Sequence, residues 1–275
     1  MIILFGSTGM LGNYVYKHLK DKYNLVCIRS DKFDIVKDEW ETLENIIIHY
    51  LETSKDFIHE TDDNVIINCA GIIPQNVNTT DYRSYIKVNS LFPHKLQEYA
   101  RKYKCKFIHI TTDCVYDGKK GDYTIHDTHT THDIYGISKS IGEPSDSCII
   151  RTSIIGEEIK NKRSLLEWVK KNKNGNIKGY TNHYWNGVTC LTIAKIIERT
   201  IGKNEYWKGV KHITSPCKYT KYDIVKMINE IFDLNIKIIK YDTLDLKDMT
   251  MISNYEFDIP NLREQIVELK NFNYL

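Results

Sequence analysis

The sequence lacks the cysteine pattern of a disulfide-rich or zinc-binding protein. Its seven cysteines are scattered, and no two of them stand at C-x-x-C spacing. An odd and dispersed set is more typical of reduced thiols than of a disulfide framework, and its spacing matches no strong zinc motif. We therefore expect neither disulfides nor a metal site.

Long apolar runs and concentrated charge are also missing. No apolar run is long enough to span a bilayer, and the opening "MIILFGSTGM" is too short, and lacks the preceding basic region, for a signal peptide. The formal net charge is +2 and no basic stripe stands out, which disfavours nucleic acid as a partner. We expect a cytoplasmic protein with neither a membrane nor a nucleic-acid partner, and a homodimer is left open.

The sequence does have the composition and the alternating segment pattern of a globular α/β protein. Of the 275 residues, 41% are hydrophobic and 27% are charged, ordinary values for a folded chain that can bury a large core. Short β-rich runs alternate with longer segments of helical spacing; the runs are "MIILFG" (1–6), "NLVCIR" (24–29), "NVIINCA" (64–70), "KFIHIT" (106–111) and "SCIIRTS" (147–153). They predict a Rossmann-like, doubly wound parallel sheet with helices on both faces.

The regular alternation of β-rich and helical segments becomes less clear after about residue 154. The later segments include "SLLEWVKK", "TCLTIAKIIERTIG", "VKHIT" and "IKIIKY", which predict a smaller C-terminal α/β domain that binds substrate. We assign residues 1–154 to the dinucleotide-binding domain and residues 155–275 to the substrate-binding region. Some of the later elements could instead return to extend the first sheet.

A glycine-rich loop, "GSTGMLG", follows the first predicted strand and opens a helix. Its glycines allow a tight turn and let backbone N–H groups approach a pyrophosphate, whose charge the helix N-terminus favours. We expect this loop to bind a dinucleotide through Gly6, Thr8, Gly9, Met10, Leu11 and Gly12.

The second predicted strand ends in "CIRSDKFD". Arg29 and Ser30 stand where an NAD-preferring fold carries an acid for the ribose 2′-hydroxyl, and arginine suits a 2′-phosphate. This favours NADPH, with NADH as the alternative because Asp31 or Asp34 could lie near the adenosine. The other interpretation is that Arg29 is only a surface residue.

The stretch "HDIYGISKSIGE" places Tyr135 and Lys139 one helical turn apart, so both side chains project from the same face. An ammonium beside a phenol lowers the phenol pKa and makes the tyrosine a usable proton donor or acceptor. The pair follows the fourth strand, whose end "ITTDCVYDG" should lie at the ligand-binding edge of the sheet.

Five motifs together resemble those of a known family. They are the glycine loop, "NCAG" after the third strand, "TTDCVYDG" after the fourth, "YGISK", and "IIRTS" after the fifth. The chain resembles an extended short-chain dehydrogenase/reductase, and more narrowly the dTDP-4-dehydrorhamnose reductase branch. The resemblance covers most of the chain and is weakest after about residue 235.

The resemblance implies an NADPH-dependent reduction at C4 of a nucleotide-linked 4-keto-6-deoxy sugar. Thr112, with Thr111 as the alternative, would orient the substrate carbonyl and Tyr135 would deliver the proton. Lys139 would lower the pKa of that tyrosine and hold the nicotinamide ribose. The same resemblance places Cys69, Ala70 and Gly71 along the cofactor, and Asp34 and Ile35 beside the adenine.

Two features bear on the substrate. Cys114 stands where simple reductases of this branch commonly carry tyrosine and where the related epimerase-reductases carry cysteine, so a second reading adds epimerisation at C3 or C5. The segment "GYTNHYWNGVT" resembles reductases of UDP-linked 2-acetamido-2,6-dideoxy sugars, although its aromatic residues could equally be core. The expected substrate contacts are Thr112, Asp113, Cys114, Ser153, Asn182 and Trp185, while Ile154 replaces the family's aromatic residue.

A histidine-containing loop and a non-enzymatic alternative remain to be considered. "HDTHTTHD" carries three histidines but no strong zinc spacing, and we interpret it as a polar loop that brings His132 towards the substrate. A non-enzymatic reading is a cofactor-bound regulatory subunit similar to the methionine adenosyltransferase β subunit. The complete set of Thr112, Tyr135 and Lys139 weighs against it, because a binding module has no need of all three.

Overall fold

The computed structural model describes residues 1–53, 63–74, 80–160, 162–202 and 205–272. Its strands are β1 (Ile2–Phe5), β2 (Leu25–Ile28), β3 (Val65–Asn68), β4 (Lys106–Thr112), β5 (Cys148–Thr152), β6 (Ile154–Ile155), β7 (Asn176–Tyr180), β8 (His183–Trp185), β9 (Val188–Thr189), β10 (Gly209–His212), β11 (Tyr219–Thr220), β12 (Lys237–Tyr241) and β13 (Lys247–Asp248). Its α-helices are α1 (Met10–Leu19), α2 (Trp40–Thr53), α3 (Tyr82–Tyr85), α4 (Phe92–Lys102), α5 (Ile134–Ile141), α6 (Leu165–Lys171), α7 (Cys190–Gly202), α8 (Lys221–Phe232) and α9 (Leu262–Asn271). A π-helix spans Ile86–Leu91 and a 3-10 helix spans Asp113–Val115.

Six parallel strands form the central sheet, in the order β2–β1–β3–β4–β5–β10. Each of the five predicted β-rich runs overlaps one of its strands, and β4 extends one residue beyond its run, to Thr112. The predicted doubly wound α/β fold is confirmed. The strand β10 comes from the later third of the chain and pairs with β5 at the edge of the sheet, while the division at residue 154 stays a prediction.

The sheet is covered on both faces, which explains why its strands are apolar throughout. Side chains alternate along β1: Ile2 and Leu4 pack into one hydrophobic core, whereas Ile3 and Phe5 pack into another on the opposite face. A continuous apolar strand is stable only where both faces exclude water.

The strand order reverses between β1 and β3. From β1 the chain passes to its neighbour β2 on one side, and the later strands β3, β4 and β5 follow on the other side. Such a switch point opens a crevice at the carboxyl ends of the strands, which is where ligands bind in open α/β sheets. The topology therefore predicts a ligand site among the residues that follow β1, β3, β4 and β5.

The remaining described strands form three smaller sheets. β11, β8 and β13 form a three-stranded sheet, β12 pairs with β7, and β6 pairs with β9. The helix α8 begins directly after β11 with a capping box, in which Thr220 and Asp223 satisfy each other's backbone N–H groups. None of the described helices is long and apolar enough to cross a membrane.

Candidate active site

The glycine loop after β1 has the shape of a pyrophosphate-binding turn. Gly6 has a positive φ of 78°, and a Cβ at this position would lie 2.5 Å from the backbone N of Ala70. A Cβ on Gly12 would collide with the carbonyl oxygen of Gly6. The N–H of Gly9 donates to that same carbonyl at 3.0 Å, and α1 begins at the next residue. Only glycines fit this packing, which leaves the first turn of α1 open to an anion.

A cavity of about 1020 Å³ extends from this loop to the ends of β4 and β5. Eleven residues predicted from the sequence to contact cofactor or substrate line it: Gly9, Met10, Leu11, Cys69, Gly71, Thr112, Asp113, Cys114, Tyr135, Lys139 and Ser153. A cleft at the switch point of the sheet is the expected ligand site of this architecture. Its volume is suited to a ligand larger than a single sugar.

The end of β4 holds three consecutive polar residues in a fixed arrangement. The hydroxyl of Thr112 donates to Asp113 Oδ1 at 3.0 Å and accepts from the N–H of Cys114 at 3.2 Å. The thiol of Cys114 donates to the same Asp113 oxygen at 3.6 Å. Thr111 lies beside them, and its hydroxyl is buried with no hydrogen-bond partner among the described residues.

Tyr135 lies in the first turn of α5, whose N-terminus is capped by the Asp133 side chain accepting from the N–H of Gly136. Burial raises the pKa of the Tyr135 phenol, the nearby Cys114 adds to the rise, and a hydrogen bond with the Thr112 side chain opposes it. We expected Lys139 to lower this pKa. The pKa rises instead because burial disfavours the phenolate and the neighbouring Asp113 and Asp133 carboxylates add to the rise.

Lys139 is 7% exposed and lies one turn further along α5. Its ammonium donates to the carbonyl of Ile110 at 3.3 Å, and a Cβ on Gly71 would be 3.1 Å from its Nζ. Burial lowers the pKa of Lys139 to about 8. The side chain therefore lies between β4 and the loop after β3, at the predicted position of the cofactor.

Cys114 is protonated in this environment. Burial, together with the neighbouring Asp113 carboxylate, raises the pKa of the Cys114 thiol to about 12. A thiol with this pKa is a poor general base at neutral pH because almost none of it is thiolate.

Asn89 was not recognised in the sequence, although it joins two walls of the cavity. It lies in the π-helix, where its side chain accepts from the N–H of Ile72 and donates to the carbonyl of Ile72, each at 3.0 Å. It also donates to the hydroxyl of Ser138 on α5 at 3.1 Å. One buried amide thus ties the loop after β3 to the helix that carries Tyr135 and Lys139. A polar residue inside the helical segment "KVNSLFPHKL" was the available signal.

The residues predicted for the adenosine end lie apart from the main cavity. Arg29 and Ser30 are exposed after β2, and Arg29 lines a second hollow of about 320 Å³ together with Asp31 and Lys32. Asp34 accepts from the N–H of Val36 and forms part of a turn. The fold therefore places Arg29 at the end of β2, where the adenosine ribose of a dinucleotide would lie.

Asn182 and Trp185 have structural contacts rather than a place in the described lining of the cavity. Asn182 donates to the carbonyl of Thr243 and accepts from its N–H. Trp185 is 3% exposed and belongs to the main hydrophobic core. Of the histidines in the polar loop, His132 lines the cavity, whereas His129 hydrogen-bonds the Ser140 hydroxyl.

This combination defines the class of protein. A doubly wound parallel sheet, a glycine loop after its first strand and a Tyr/Lys pair at its ligand-binding edge are the features of an extended short-chain dehydrogenase/reductase. The match to the family described as "RmlD substrate binding domain" covers residues 1–260, and the chain belongs to that family.

Among curated proteins, the chain is 26% identical over 231 residues to a dTDP-4-dehydrorhamnose reductase from Aggregatibacter actinomycetemcomitans, covering 78% of this chain and 74% of that protein. It is 21% identical over 253 residues to methionine adenosyltransferase 2 subunit beta from Rattus norvegicus, covering 85% of this chain and 72% of that protein. The sequence comparison thus contains both an enzyme and a subunit of another enzyme.

Solved structures show the same fold. A dTDP-4-dehydrorhamnose reductase from Clostridium acetobutylicum has a TM-score of 0.80 at 21% identity, covering 98% of both chains. The corresponding protein from Bacillus anthracis, solved in complex with NADP, has a TM-score of 0.81 at 16% identity and the same coverage. WbmG from Bordetella bronchiseptica, in complex with NAD and UDP, has a TM-score of 0.73 at 12% identity, covering 98% of this chain and 94% of that one.

Proposed function

We propose that this protein reduces the C4 keto group of a UDP- or dTDP-linked 4-keto-6-deoxy sugar with NADPH, and with NADH as a weaker alternative. The observation that carries the proposal is the meeting of Thr112, Tyr135 and Lys139 in one cavity that begins at the glycine loop. The family supports it, because a relative from Aggregatibacter actinomycetemcomitans is a dTDP-4-dehydrorhamnose reductase. Arg29 at the end of β2 supports the choice of NADPH, because a guanidinium suits the 2′-phosphate of that cofactor.

Bound NADPH would supply the hydride. The residues of the chain would bind it through the loop at Gly6–Gly12 and the backbone beside Gly71, with Lys139 reaching the nicotinamide ribose. Tyr135 would donate its phenolic proton to the C4 oxygen of the sugar as the alcohol forms. The raised pKa of Tyr135 keeps the phenol protonated at neutral pH before the reaction.

Thr112 would position the reacting carbonyl. Its hydroxyl is held by Asp113 and the Cys114 amide and forms a hydrogen bond with Tyr135. Two hydroxyls that meet at one point can both bond the same oxygen atom, which fixes the carbonyl relative to the nicotinamide. Asp113, Cys114 and Ser153 would form the neighbouring wall around the sugar.

The direct test is turnover with NADPH and a panel of UDP-, dTDP- and GDP-linked 4-keto-6-deoxy sugars that includes a 2-acetamido member, with products identified by NMR. Tyr135→Phe should lower kcat by about 100-fold or more, since general acid catalysis contributes on that scale, and should leave the NADPH dissociation constant within twofold. Tyr103→Phe, which removes a hydroxyl hydrogen-bonded to Glu44 far from the cavity, is the matched control. Undiminished reduction by Tyr135→Phe would contradict the mechanism.

A regulatory subunit is the second candidate, because methionine adenosyltransferase 2 subunit beta is among the relatives of this chain. A protein of this kind would bind NADPH, reduce no sugar in the panel and co-purify with a partner enzyme. Epimerisation is not part of the proposal, since the raised pKa of the Cys114 thiol disfavours proton removal from carbon. Incorporation of solvent deuterium at C3 or C5 during turnover would reverse that conclusion.

A further inference from the structure

Two lysines near the end of β4 have no ionic partner among the described residues. Lys221 is the first residue of α8 and follows β11 directly, and Lys247 is the first residue of β13. Among the described residues, neither lysine forms a salt bridge. The other lysine of this region, Lys218, is paired with Asp248.

The three-stranded sheet brings the two lysines together. β8 is the central strand: Thr220 of β11 pairs with Tyr184, and Lys247 of β13 pairs with His183. Lys221 therefore continues past one side of β8 while Lys247 flanks its other side. The ammonium of Lys221 lies 5.3 Å from the ring centre of Trp185 on the same strand.

Both side chains approach the end of β4. A Cβ on Gly118, just beyond the 3-10 helix, would lie 2.9 Å from the Cγ of Lys247. Burial lowers the pKa of Lys221, the nearby Asp113 carboxylate opposes this shift, and the positive charge of Lys247 adds to it. The two ammonium groups thus share one neighbourhood with Asp113 and Cys114, which line the cavity.

This arrangement is unfavourable for Lys221 in the free protein, whereas Lys247 is exposed to solvent. A cation at the first residue of a helix faces the positive end of the helix dipole, and the second lysine repels it. Asp113 supplies one carboxylate against two ammoniums, and that carboxylate already accepts hydrogen bonds from Thr112 and Cys114. Local electrostatic conflict of this kind is typical of ligand sites, where the ligand supplies the missing charge.

The lining of the cavity has few cationic side chains. Among the described residues of its lining, Lys139 is the sole lysine or arginine, and it lies at the cofactor end against Ile110 and Gly71. A nucleotide sugar held with C4 at Thr112 and Tyr135 carries its diphosphate one pyranose ring away, on C1. Two negative phosphates there need cations that the lining does not provide.

We propose that Lys221 and Lys247 form the subsite for the diphosphate of the nucleotide-sugar substrate. The positive end of α8 adds to the attraction. The His183 ring is bonded to the Thr243 hydroxyl, and burial, together with the charges of the two lysines, lowers its pKa. This inference rests on the proposed function for the identity of the ligand. It concerns binding alone, because no covalent step involves either lysine.

The test is equilibrium binding of UDP and dTDP, with uridine and thymidine as ligands that lack the diphosphate. Lys221→Gln and Lys247→Gln should each weaken nucleoside diphosphate binding by about tenfold, the scale of one charge-assisted hydrogen bond, and should leave nucleoside and NADPH binding within twofold. Lys221→Arg, which keeps the charge, should bind nearly as well as the wild type. Lys226→Gln on the exposed face of α8 is the matched control.

In turnover, the same variants should raise KM for the nucleotide sugar and change kcat little, since the contact is present in both ground and transition states. The proposal is overturned if the double variant binds UDP and dTDP as the wild type does, if the wild type binds neither, or if the variants lose nucleoside binding equally. Failure of the reductase assay with this binding pattern intact would reject the proposed function and keep the subsite. Efficient reduction by the wild type, with nucleoside diphosphate binding unchanged in the lysine variants, would support the proposed function and reject the subsite.

Discussion

Burial changes the acid–base chemistry of three residues at the candidate site. It raises the pKa of Tyr135, lowers that of Lys139 to about 8 and raises that of Cys114 to about 12. Each shift disfavours the charged form, as desolvation must. At neutral pH the Tyr135 phenol and the Cys114 thiol are therefore neutral. Lys139 is a cation that loses its proton more readily than an exposed lysine does.

The cost of burying Lys139 is measurable as a pH-dependent stability. Below pH 8 the ammonium is present in both the folded and unfolded states and destabilises the fold. Between pH 8 and the ordinary lysine pKa of 10.5, the folded chain has released a proton that the unfolded chain still binds, so stability rises with pH. Lys139→Met should therefore be more stable than the wild type at pH 7 by up to about 3 kcal/mol.

That difference should shrink from pH 8 to pH 10.5, as followed by urea unfolding across the range. Lys226→Met, which removes one exposed ammonium, is the matched control for the general effect of losing a charge. A difference between Lys139→Met and the wild type that stays constant with pH would contradict the lowered pKa.

At the scale of elements, the position of α5 depends on its contact with the π-helix. Ser90 donates to the carbonyl of Ser138 at 2.7 Å, and Asn89 donates to the hydroxyl of the same serine. The end of α5 packs so tightly that a Cβ on Gly142 would collide with the carbonyl oxygen of Asn89. A π-helix is a local widening that is frequent at functional sites, and here it directs Asn89 into the gap between the two elements.

Gly142→Ala tests this packing. The added methyl group cannot fit against the Asn89 backbone, so α5 must shift and move Tyr135 and Lys139 relative to the glycine loop. We expect a loss of about 1–3 kcal/mol in the free energy of unfolding, the range for overpacking, and weaker NADPH binding. Gly202→Ala, at the exposed end of α7, should change neither quantity appreciably.

If Gly142→Ala binds NADPH as tightly as the wild type does, the docking of α5 on the π-helix does not position the cofactor site. Thermal unfolding and fluorescence titration with NADPH provide both measurements.

At the scale of the whole molecule, a buried ionic network joins the central sheet to the later part of the chain. Arg151 on β5 donates to both carboxylate oxygens of Glu143 after α5, at 3.0 and 2.5 Å. It also donates to the hydroxyl of Tyr116 at 2.8 Å and bonds the His212 ring on β10 at 2.9 Å. One guanidinium thus connects β5, α5, β10 and the loop after β4.

Glu143→Gln should destabilise the whole fold. It leaves the Arg151 guanidinium, which is 3% exposed, without its counter-charge, and breaking a buried pair in this way costs about 3–5 kcal/mol. Glu230→Gln breaks the exposed pair with Arg263 and should cost about 0–1 kcal/mol. Guanidinium unfolding of the two variants makes the comparison, and equal losses would show that the Arg151 pair stabilises no more than a surface pair.

Much of the site could be predicted because its signals are local. The strands of the central sheet, the glycine loop and the Tyr135/Lys139 spacing each depend on a few consecutive residues whose backbone geometry sets their direction. Asn89, Lys221 and Lys247 were missed for the opposite reason. Each lies near residues far away in sequence, and its own segment identifies it at most as a polar residue in a helix or a strand.

The sequence by itself determined the parallel sheet, the position of the glycine loop and the pair on α5, because alternating apolar runs, glycine spacing and helical periodicity are properties of short segments. The tertiary structure alone decided the directions of the pKa shifts, since burial of Tyr135, Lys139 and Cys114 depends on packing by distant elements. It also decided that Trp185 belongs to the core and that the two lysines flanking β8 lie near the end of β4. Those outcomes depend on strand pairing between residues about 35 to 65 positions apart, a relation that no local pattern specifies.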